Sequence, residues 1–373
     1  MTFTPAEQAA MARALELAAS PGVPLGPNPR VGCVLLDEAG VTVAEGFHRG
    51  AGSPHAEADA LARAGERAEG TTAVVTLEPC AHTGRTGPCA VALRDAGVRR
   101  VVFAQADPNP RAAGGARLLR DAGVEVESGL LVDEARVLNR VWTFAVEHGR
   151  PFVTWKFATT LDGRSAAADG TSRWVSGRAA RLDTHRLRAL CDAMLVGANT
   201  VAVDDPQLTV RDEQDRPLPR EQQPLRVVMG ERDLPLTKRV FDDHAETLHL
   251  RTRDPETALK TLFDLDRQHV FLEGGPTLAA AFLEAGLVDE IVTYVAPMLL
   301  GAGQAAVADL GITTIAEALR PVVTDVTVLD GLDGEPPNVR FTMTPAATPA
   351  PTTASTTAST TASTTASTTE GDH

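Results

Sequence analysis

Residues 53–57 read SPHAE, and residues 76–89 read TLEPCAHTGRTGPC. His55 begins a predicted helix, Cys80 leaves a predicted strand, and Cys89 follows nine residues after Cys80. One imidazole and two thiolates give three protein ligands, which leaves the fourth position of a tetrahedral zinc ion for water. An open fourth position is typical of catalytic zinc, whereas structural zinc has four protein ligands. The pattern therefore predicts a catalytic zinc site on a framework of strands and helices.

Glu57 lies two residues after the predicted ligand His55 and is the candidate proton carrier. Zinc lowers the pKa of bound water towards neutrality, and a nearby carboxylate can move a proton from that water to a departing amine. This order of His-x-Glu, Pro-Cys and Cys is that of zinc deaminases acting on nucleobases. Eight residues separate Cys80 and Cys89, whereas the usual spacing is Cys-x-x-Cys.

Two other interpretations of these residues stay open. A deaminase of free nucleosides or of polynucleotides would use the same three ligands. A structural zinc domain would need a fourth protein ligand, for which His82 is the nearby candidate. The remaining cysteines, Cys33 in an apolar strand and Cys191 in a helix–strand connection, are interpreted as packing residues.

Length and composition favour a soluble protein of two domains. At 373 residues the chain exceeds one typical hydrophobic core. With 35 basic and 49 acidic residues, its net charge of −14 disfavours a nucleic-acid partner, although a few local arginines can still bind a small anion. No run approaches the roughly 18 apolar residues of a membrane span, and the first residues lack the order of a signal peptide. We therefore expect a cytoplasmic protein with no membrane partner.

The order of predicted elements divides the chain into three parts. Strands alternate with helices over residues 1–147, including a helix from about Pro54 to Arg67 that Ser53 is expected to cap. The pattern restarts after residues 148–151 and gives a second α/β domain over residues 150–345. Residues 346–373 repeat Thr, Ala and Ser, have no apolar face to bury, and are predicted to be disordered.

Four stretches of the first domain resemble the bifunctional deaminase/reductase family of riboflavin biosynthesis. They are PNPRVGCV at 27–34, PHAE at 54–57, the stretch 76–89 with its long cysteine spacing, and DPNP at 107–110. The resemblance implies a cytidine-deaminase-like, three-layer domain. It also implies zinc-dependent deamination of a pyrimidine ribosylamine 5′-phosphate, 2,5-diamino-6-(5-phosphoribosylamino)pyrimidin-4-one. Residues at the matching positions would line the substrate pocket: Asn28, His48, His82 and Arg85.

The second domain has no Gly-x-Gly-x-x-Gly after a strand, so a standard dinucleotide fold is not indicated. Residues 269–277 read HVFLEGGPT, a strand, a double-glycine turn and a helix start whose free N–H groups suit a phosphate. The stretches 156–164, 172–174 and 197–211 resemble the reductase half of the same family. That resemblance implies a dihydrofolate-reductase-like domain that uses NADPH to reduce the ribosyl to a ribityl side chain, giving 5-amino-6-(5-phosphoribitylamino)uracil.

The resemblance assigns residues of the second domain to two groups. The NADPH contacts would be Ala158, Trp174, Thr200, Asp204, Gly275, Pro276, Thr277, Leu278, Ala279, Ala280 and Ala281. The substrate contacts would be Ser172, Arg188, Leu208, Arg211 and Glu273. Lys156 and Asp204 are the candidates for orienting or protonating the reacting centre, and the proton donor is not assigned between them. Arg188 and Arg211 suit the substrate phosphate because a guanidinium fork matches phosphate oxygens.

The chain departs from the family at Gly230–Glu231, where members tend to have a small polar pair such as Asp-Ser. This departure puts the expected contact to the 2′-phosphate of NADPH in doubt, and Arg232 or Arg253 could substitute. The sequence leaves the oligomeric state open, including a homo-oligomer.

Overall fold

The computed structural model describes residues 3–22, 26–82 and 87–345. Arg85 and the predicted tail at 346–373 lie outside these residues. The helices are α1 (Pro5–Ala18), α2 (Ala56–Ala64), α3 (Cys89–Asp95), α4 (Gly115–Asp121), α5 (Val132–Leu138), α6 (Arg140–His148), α7 (Arg178–Arg188), α8 (Ala198–Asp204), α9 (Pro255–Asp264) and α10 (Pro276–Glu284). No helix in the described part of the chain combines the length and the apolar character that a membrane crossing requires.

The strands form one sheet in each half of the chain, with a small additional pair. They are β1 (Gly32–Leu36), β2 (Thr42–Phe47), β3 (Thr72–Leu77), β4 (Arg100–Gln105), β5 (Glu125–Ser128), β6 (Phe152–Thr160), β7 (Arg164–Ala166), β8 (Ala193–Gly197), β9 (Leu225–Met229), β10 (Thr247–Leu250), β11 (His269–Leu272), β12 (Glu290–Ala296), β13 (Gln304–Ala305), β14 (Val322–Leu329) and β15 (Asn338–Thr344).

The first sheet has five strands in the order β2-β1-β3-β4-β5. β1 pairs antiparallel with β2 and β3, whereas β3, β4 and β5 are parallel. Apolar residues of β1 alternate between the two faces: Cys33 and Leu35 pack with α2 and α3, and Val34 and Leu36 pack with α1 and α5. Helices thus cover both faces of the sheet, which confirms the predicted three-layer α/β/α arrangement.

The second sheet has eight strands in the order β10-β9-β8-β11-β6-β12-β15-β14. The first six are parallel, and β15 and β14 continue the sheet antiparallel. Because parallel strands share one direction, the loops after β6, β8, β9 and β11 all leave the same edge, which we call the carboxyl edge. The predicted second α/β unit is confirmed.

The two halves meet at the opposite, amino edge of the second sheet. Gln268, just before β11, donates from Nε2 to the carbonyl of Pro27 at 2.9 Å. Arg140 of α6 forms an ion pair at 2.7 Å with Glu290, the first residue of β12. These contacts tie the loop before β1 to the side of the second sheet where its parallel strands begin.

The start of α2 differs from the sequence-based expectation. The helix begins at Ala56 with His55 at the N-cap position, so the expectation that Ser53 caps a helix from about Pro54 is wrong. The Ser53 hydroxyl instead donates to the carbonyl of Gly50 at 2.7 Å and stabilises the preceding turn. His55 is therefore held at the junction between that turn and the helix, with its backbone extended.

Gly46 of β2 allows α2 to approach the first sheet closely. A Cβ atom at this position would lie 2.4 Å from both Ala56 O and Ala60 N, two backbone atoms of α2. We expect Gly46→Ala to displace α2 and to destabilise the N-terminal unit by about 3 kcal/mol, measured by urea unfolding. Gly87→Ala is the matched control, since a Cβ there meets no described atom within 4 Å. Equal unfolding midpoints for the two variants would contradict this account.

Candidate active sites

The three predicted metal ligands come together in the first half of the chain. His55 Nδ1, Cys80 Sγ and Cys89 Sγ all lie within 4.8 Å of one another. The imidazole nitrogen is 3.3 Å from Cys89 Sγ and 3.7 Å from Cys80 Sγ. Zinc–ligand bonds of about 2.0–2.3 Å at tetrahedral angles place donor atoms about 3.5 Å apart, so this donor set fits zinc. His82 is exposed and lies outside the group.

Three elements hold these ligands. The chain leaves β3 towards Cys80, α3 begins at Cys89, and His55 occupies the N-cap position of α2. The backbone N–H of Cys89 donates to Cys80 Sγ at 3.4 Å, which fixes the start of α3 against the loop after β3. Hydrogen bonds from the Cys89 thiol and the His55 imidazole hold the pKa of Cys80 well below its usual range. The hydrogen bond to Cys80 and burial raise the pKa of Cys89, so the pair holds one thiolate, on Cys80, before a metal binds.

Glu57 is buried in the first turn of α2 and lines the same cavity of about 220 Å³ as His55 and Cys80. Burial raises the pKa of the Glu57 carboxyl to about 7. A carboxyl that titrates near neutrality can both accept and return a proton. The arrangement therefore places a carboxyl that suits proton transfer beside the three predicted ligands.

Asn28 and His48 also line this cavity and bind each other. His48 Nδ1 lies 2.9 Å from the carbonyl of Pro54, which can only accept, so Nδ1 carries the proton. His48 Nε2 therefore accepts from Asn28 Nδ2 at 3.0 Å. Burial lowers the pKa of His48, consistent with this neutral form. Two of the four predicted substrate contacts thus form a hydrogen-bonded pair, and His82 lines the same cavity. The fourth, Arg85, lies outside the described residues.

Asp107, a residue without a predicted role, lines the same cavity. It follows β4, the parallel neighbour of β3, so its carboxyl lies beside the loop that carries Cys80. Burial raises its pKa to about 6. Glu78 holds this region by accepting from the N–H groups of Asp107, Gly114 and Ala116. The DPNP stretch at 107–110 contains Asp107, but it served only to indicate the family and did not identify this carboxyl as a cavity residue.

The second half of the chain contains a larger cavity of about 600 Å³, which we call the basic cavity. Six arginines and one lysine line it against only two carboxylates, so it suits an anion despite the acidic chain. Five predicted site residues line it: Lys156, Trp174, Arg188, Leu208 and Arg211. Others that sequence reasoning missed are Arg173, Arg178, Arg181, His185 and Arg239.

Glu273 links the basic cavity to the end of β11. Its carboxylate receives two hydrogen bonds from Arg188, at 2.5 and 2.8 Å. Arg188 also donates to the carbonyl of Thr209 at 2.9 Å, so most of the guanidinium donors of Arg188 are used within the protein. Lys156 of β6 lies level with Glu273, because Trp155 is opposite Leu272 in the sheet. Burial lowers the pKa of Lys156.

Several predicted NADPH contacts lie together at the carboxyl edge. Thr200 follows β8 and Gly275 follows the adjacent β11, and Thr200 Oγ1 lies 3.7 Å from where a Cβ of Gly275 would be. The N–H groups of Gly274, Gly275 and Thr277 have no hydrogen-bond partner among the described residues. Such free donors at a helix start suit a phosphate. The side chains of Ala279 and Ala280 are buried, so this turn offers its backbone to a ligand.

Other predicted contacts are more dispersed. Ser172 and Asp204 are exposed and do not line the basic cavity, and Ala158 packs beside Tyr294. Of the two arginines considered for the NADPH 2′-phosphate, Arg232 donates to Asn199 Oδ1 at 3.3 Å, next to Thr200. Arg253 pairs with Glu231 at 3.1 Å. The structure thus places Arg232 nearer to the predicted cofactor residues.

Comparison with known proteins separates the chain into the same two halves. Residues 5–105 match the family model of the cytidine and deoxycytidylate deaminase zinc-binding region. Residues 151–328 match the RibD C-terminal domain. The fold therefore combines a cytidine-deaminase-like domain with a dihydrofolate-reductase-like one.

Relatives match nearly the whole described chain. The riboflavin biosynthesis protein RibD of Mycobacterium tuberculosis is 52% identical over 79% of this chain and 86% of its own length. The RibD of Escherichia coli is 42% identical over 83% of this chain and 92% of its own. The solved structure of Acinetobacter baumannii RibD superposes with a TM-score of 0.83 at 40% identity, covering 91% of this chain and 99% of that one.

We expect the purified protein to hold about one zinc ion per chain, because three converging donors leave one catalytic metal site. Cys80→Ala and Cys89→Ala should each lose nearly all of this zinc, measured by elemental mass spectrometry. Cys191→Ala is the matched control, since that thiol donates to the carbonyl of Leu187 in the other half. Full zinc occupancy in Cys80→Ala and Cys89→Ala would show that the metal binds elsewhere.

Proposed function

The chain belongs to the RibD family, the bifunctional deaminase/reductases of riboflavin biosynthesis, and we propose that each of its two cavities carries out one step. In the first, hydrolysis removes the 2-amino group of 2,5-diamino-6-(5-phosphoribosylamino)pyrimidin-4-one as ammonia. In the second, NADPH reduces the ribosyl to the ribityl side chain and gives 5-amino-6-(5-phosphoribitylamino)uracil. The observation that carries this proposal is that one chain contains both a group of three converging metal-ligand side chains and a separate basic cavity.

In the deaminase half, we propose that His55, Cys80 and Cys89 bind zinc. Zinc, when bound, supplies the Lewis acidity that makes water a nucleophile near neutral pH. Glu57 takes the proton from that water and delivers it to the leaving amine, a role that its buried position beside the ligands supports. Asn28 and His48 orient the pyrimidine, because their mutual hydrogen bond fixes both side chains in the cavity wall.

In the reductase half, the anionic substrate is bound in the basic cavity. Arg211 is the better-placed phosphate ligand, because the Arg188 fork is engaged by Glu273. We propose that NADPH is bound at the carboxyl edge by Thr200 and the turn at Gly274–Thr277. NADPH, when bound, supplies the hydride that reduces C1′ of the opened sugar. Lys156 gives the proton that this reduction requires, since it lines the basic cavity, whereas Asp204 is exposed outside it.

The alternative of a structural zinc domain is less well supported. It needs a fourth protein ligand, and within the described residues only three donors converge. A deaminase of free nucleosides or polynucleotides leaves the basic cavity of the second half without a role. Activity on cytidine or single-stranded DNA, which we expect to be absent, distinguishes that alternative.

Glu57→Gln and Lys156→Met should separate the two activities. Glu57→Gln removes the proton carrier and should lower deamination, measured as ammonia release, by about 10²–10⁴-fold. Its NADPH oxidation with the deaminated compound should be unchanged. Lys156→Met should show the reverse pattern. Each variant is the control for the other, and loss of both activities in either one, with zinc retained, would contradict two separate sites.

Arg232 should determine the preference for NADPH over NADH. Arg232→Gln removes a charged donor beside Asn199 and should raise the KM for NADPH about tenfold, while the KM for NADH stays constant. Arg253→Gln is the matched control, because that arginine pairs with Glu231. If only Arg253→Gln loses the preference for NADPH, Arg253 is the residue that contacts the 2′-phosphate. If neither variant loses it, neither arginine has this role.

A further inference from the structure

We propose that Arg226 is a positioning residue of the reductase site, acting through Asp242 and Gln207 to aim the Arg211 guanidinium at the 5′-phosphate of the substrate. The inference rests on the proposed role of Arg211. It concerns three residues that lie apart in the sequence and that no motif connects. We call Arg226, Asp242 and Gln207 the relay.

Arg226 is the second residue of β9 and is completely buried. Its guanidinium donates to an oxygen of Asp242 at 2.7 Å and to the carbonyl of Gln207 at 3.1 Å. It also donates to the carbonyls of Asp242 and Ala245 and to Thr247 Oγ1. All of its donors are therefore used, and they tie the segment before Arg211 to the segment before β10.

Asp242 connects the fixed guanidinium of Arg226 to the side chain of Gln207. One of its oxygens accepts from Arg226, and the other accepts from Gln207 Nε2 at 2.6 Å. A carboxylate can only accept, so it fixes which end of the Gln207 amide is the nitrogen. The amide oxygen is consequently turned away from Asp242 and faces the basic cavity.

Gln207 Oε1 accepts from Arg211 Nη2 at 2.5 Å. The other terminal nitrogen of Arg211 donates to the carbonyl of Asp215 at 2.7 Å. Nη1 also lies 3.4 Å from the Asp215 carboxylate. Both nitrogens are thus held from the protein side, and one N–H of Nη2 and the Nε N–H are left for a ligand. Gln207 and Arg211 both line the basic cavity. A guanidinium held in this way matches the oxygens of a phosphate without first losing rotamer freedom.

A buried arginine is a costly choice for stability alone. Apolar residues of similar volume often replace buried ion pairs with no loss of stability. Arg226 lies on the sheet face that also carries Val228 and that packs with Leu208 and Val240, an otherwise apolar cluster. Its hydrogen bonds reach the two segments that bear on Arg211, which is the role we assign to it.

The test compares four single variants with wild type in steady-state kinetics of the reduction. For each, kcat, the KM for the deaminated substrate and the inhibition constant of inorganic phosphate are measured. Gln207→Met and Asp242→Asn should each raise this KM and the phosphate inhibition constant together by about tenfold, with kcat within about twofold. Arg211→Met is the reference for loss of the phosphate ligand. Asp243→Asn makes the same chemical change one residue away on a side chain that is 96% exposed, and should resemble wild type.

The double variant Gln207→Met/Asp242→Asn should be no worse than Gln207→Met, because the two residues act in series. Arg226→Lys should show the same KM shift if it folds, and the other variants carry the test if it does not. The relay is overturned if kcat falls or the KM for NADPH rises instead, or if Asp242→Asn matches Asp243→Asn. If Arg211→Met changes neither constant, the proposed phosphate role of Arg211 fails, whatever the relay variants do.

Discussion

Parallel pairing of strands is the constraint on which both sites depend. Strands that run in one direction release their chains at one edge, so residues far apart in sequence meet there. In the first sheet this places Cys80, after β3, beside Asp107, after β4. In the second it places Thr200, after β8, beside Gly275, after β11. Helices complete each site: α2 brings His55 and Glu57 and α3 brings Cys89 to the first, and α7 brings Arg188 to the second.

The second site also shows how an acidic chain holds a cationic cavity. Burying a charge is unfavourable unless it is paired and hydrogen-bonded. Glu273 neutralises Arg188 and lies level with Lys156, while Asp242 neutralises Arg226. The pairing lets several cations stay close together, and the arginines with free donors face the space that the substrate needs. The charge of the ligand that the cavity suits therefore depends on local ion pairing and not on the net charge of the chain.

The sequence was informative where a residue type has few uses. Three metal-ligating side chains in a known order predicted the cluster, and apolar runs predicted most core strands. Reasoning failed at Ser53, because a hydroxyl near a helix start can equally stabilise the preceding turn. It also gave no account of α5, which is short, or of β14, which is mostly exposed. It missed α9 as well, although Asp254 caps that helix and its apolar face is buried. Contacts such as Arg226 with Asp242 join distant segments, so only the folded chain reveals them.

The contact between Gln268 and Pro27 has a consequence for how the two reactions are joined. It docks the deaminase half on the amino edge of the second sheet, whereas the reductase residues lie past the other end of β11. The five residue steps from Gln268 to Glu273 span about 17 Å along the strand. Within one chain the two sites therefore lie towards opposite ends of β11. Fusion of the two halves fixes the numbers of deaminase and reductase sites at a ratio of one to one.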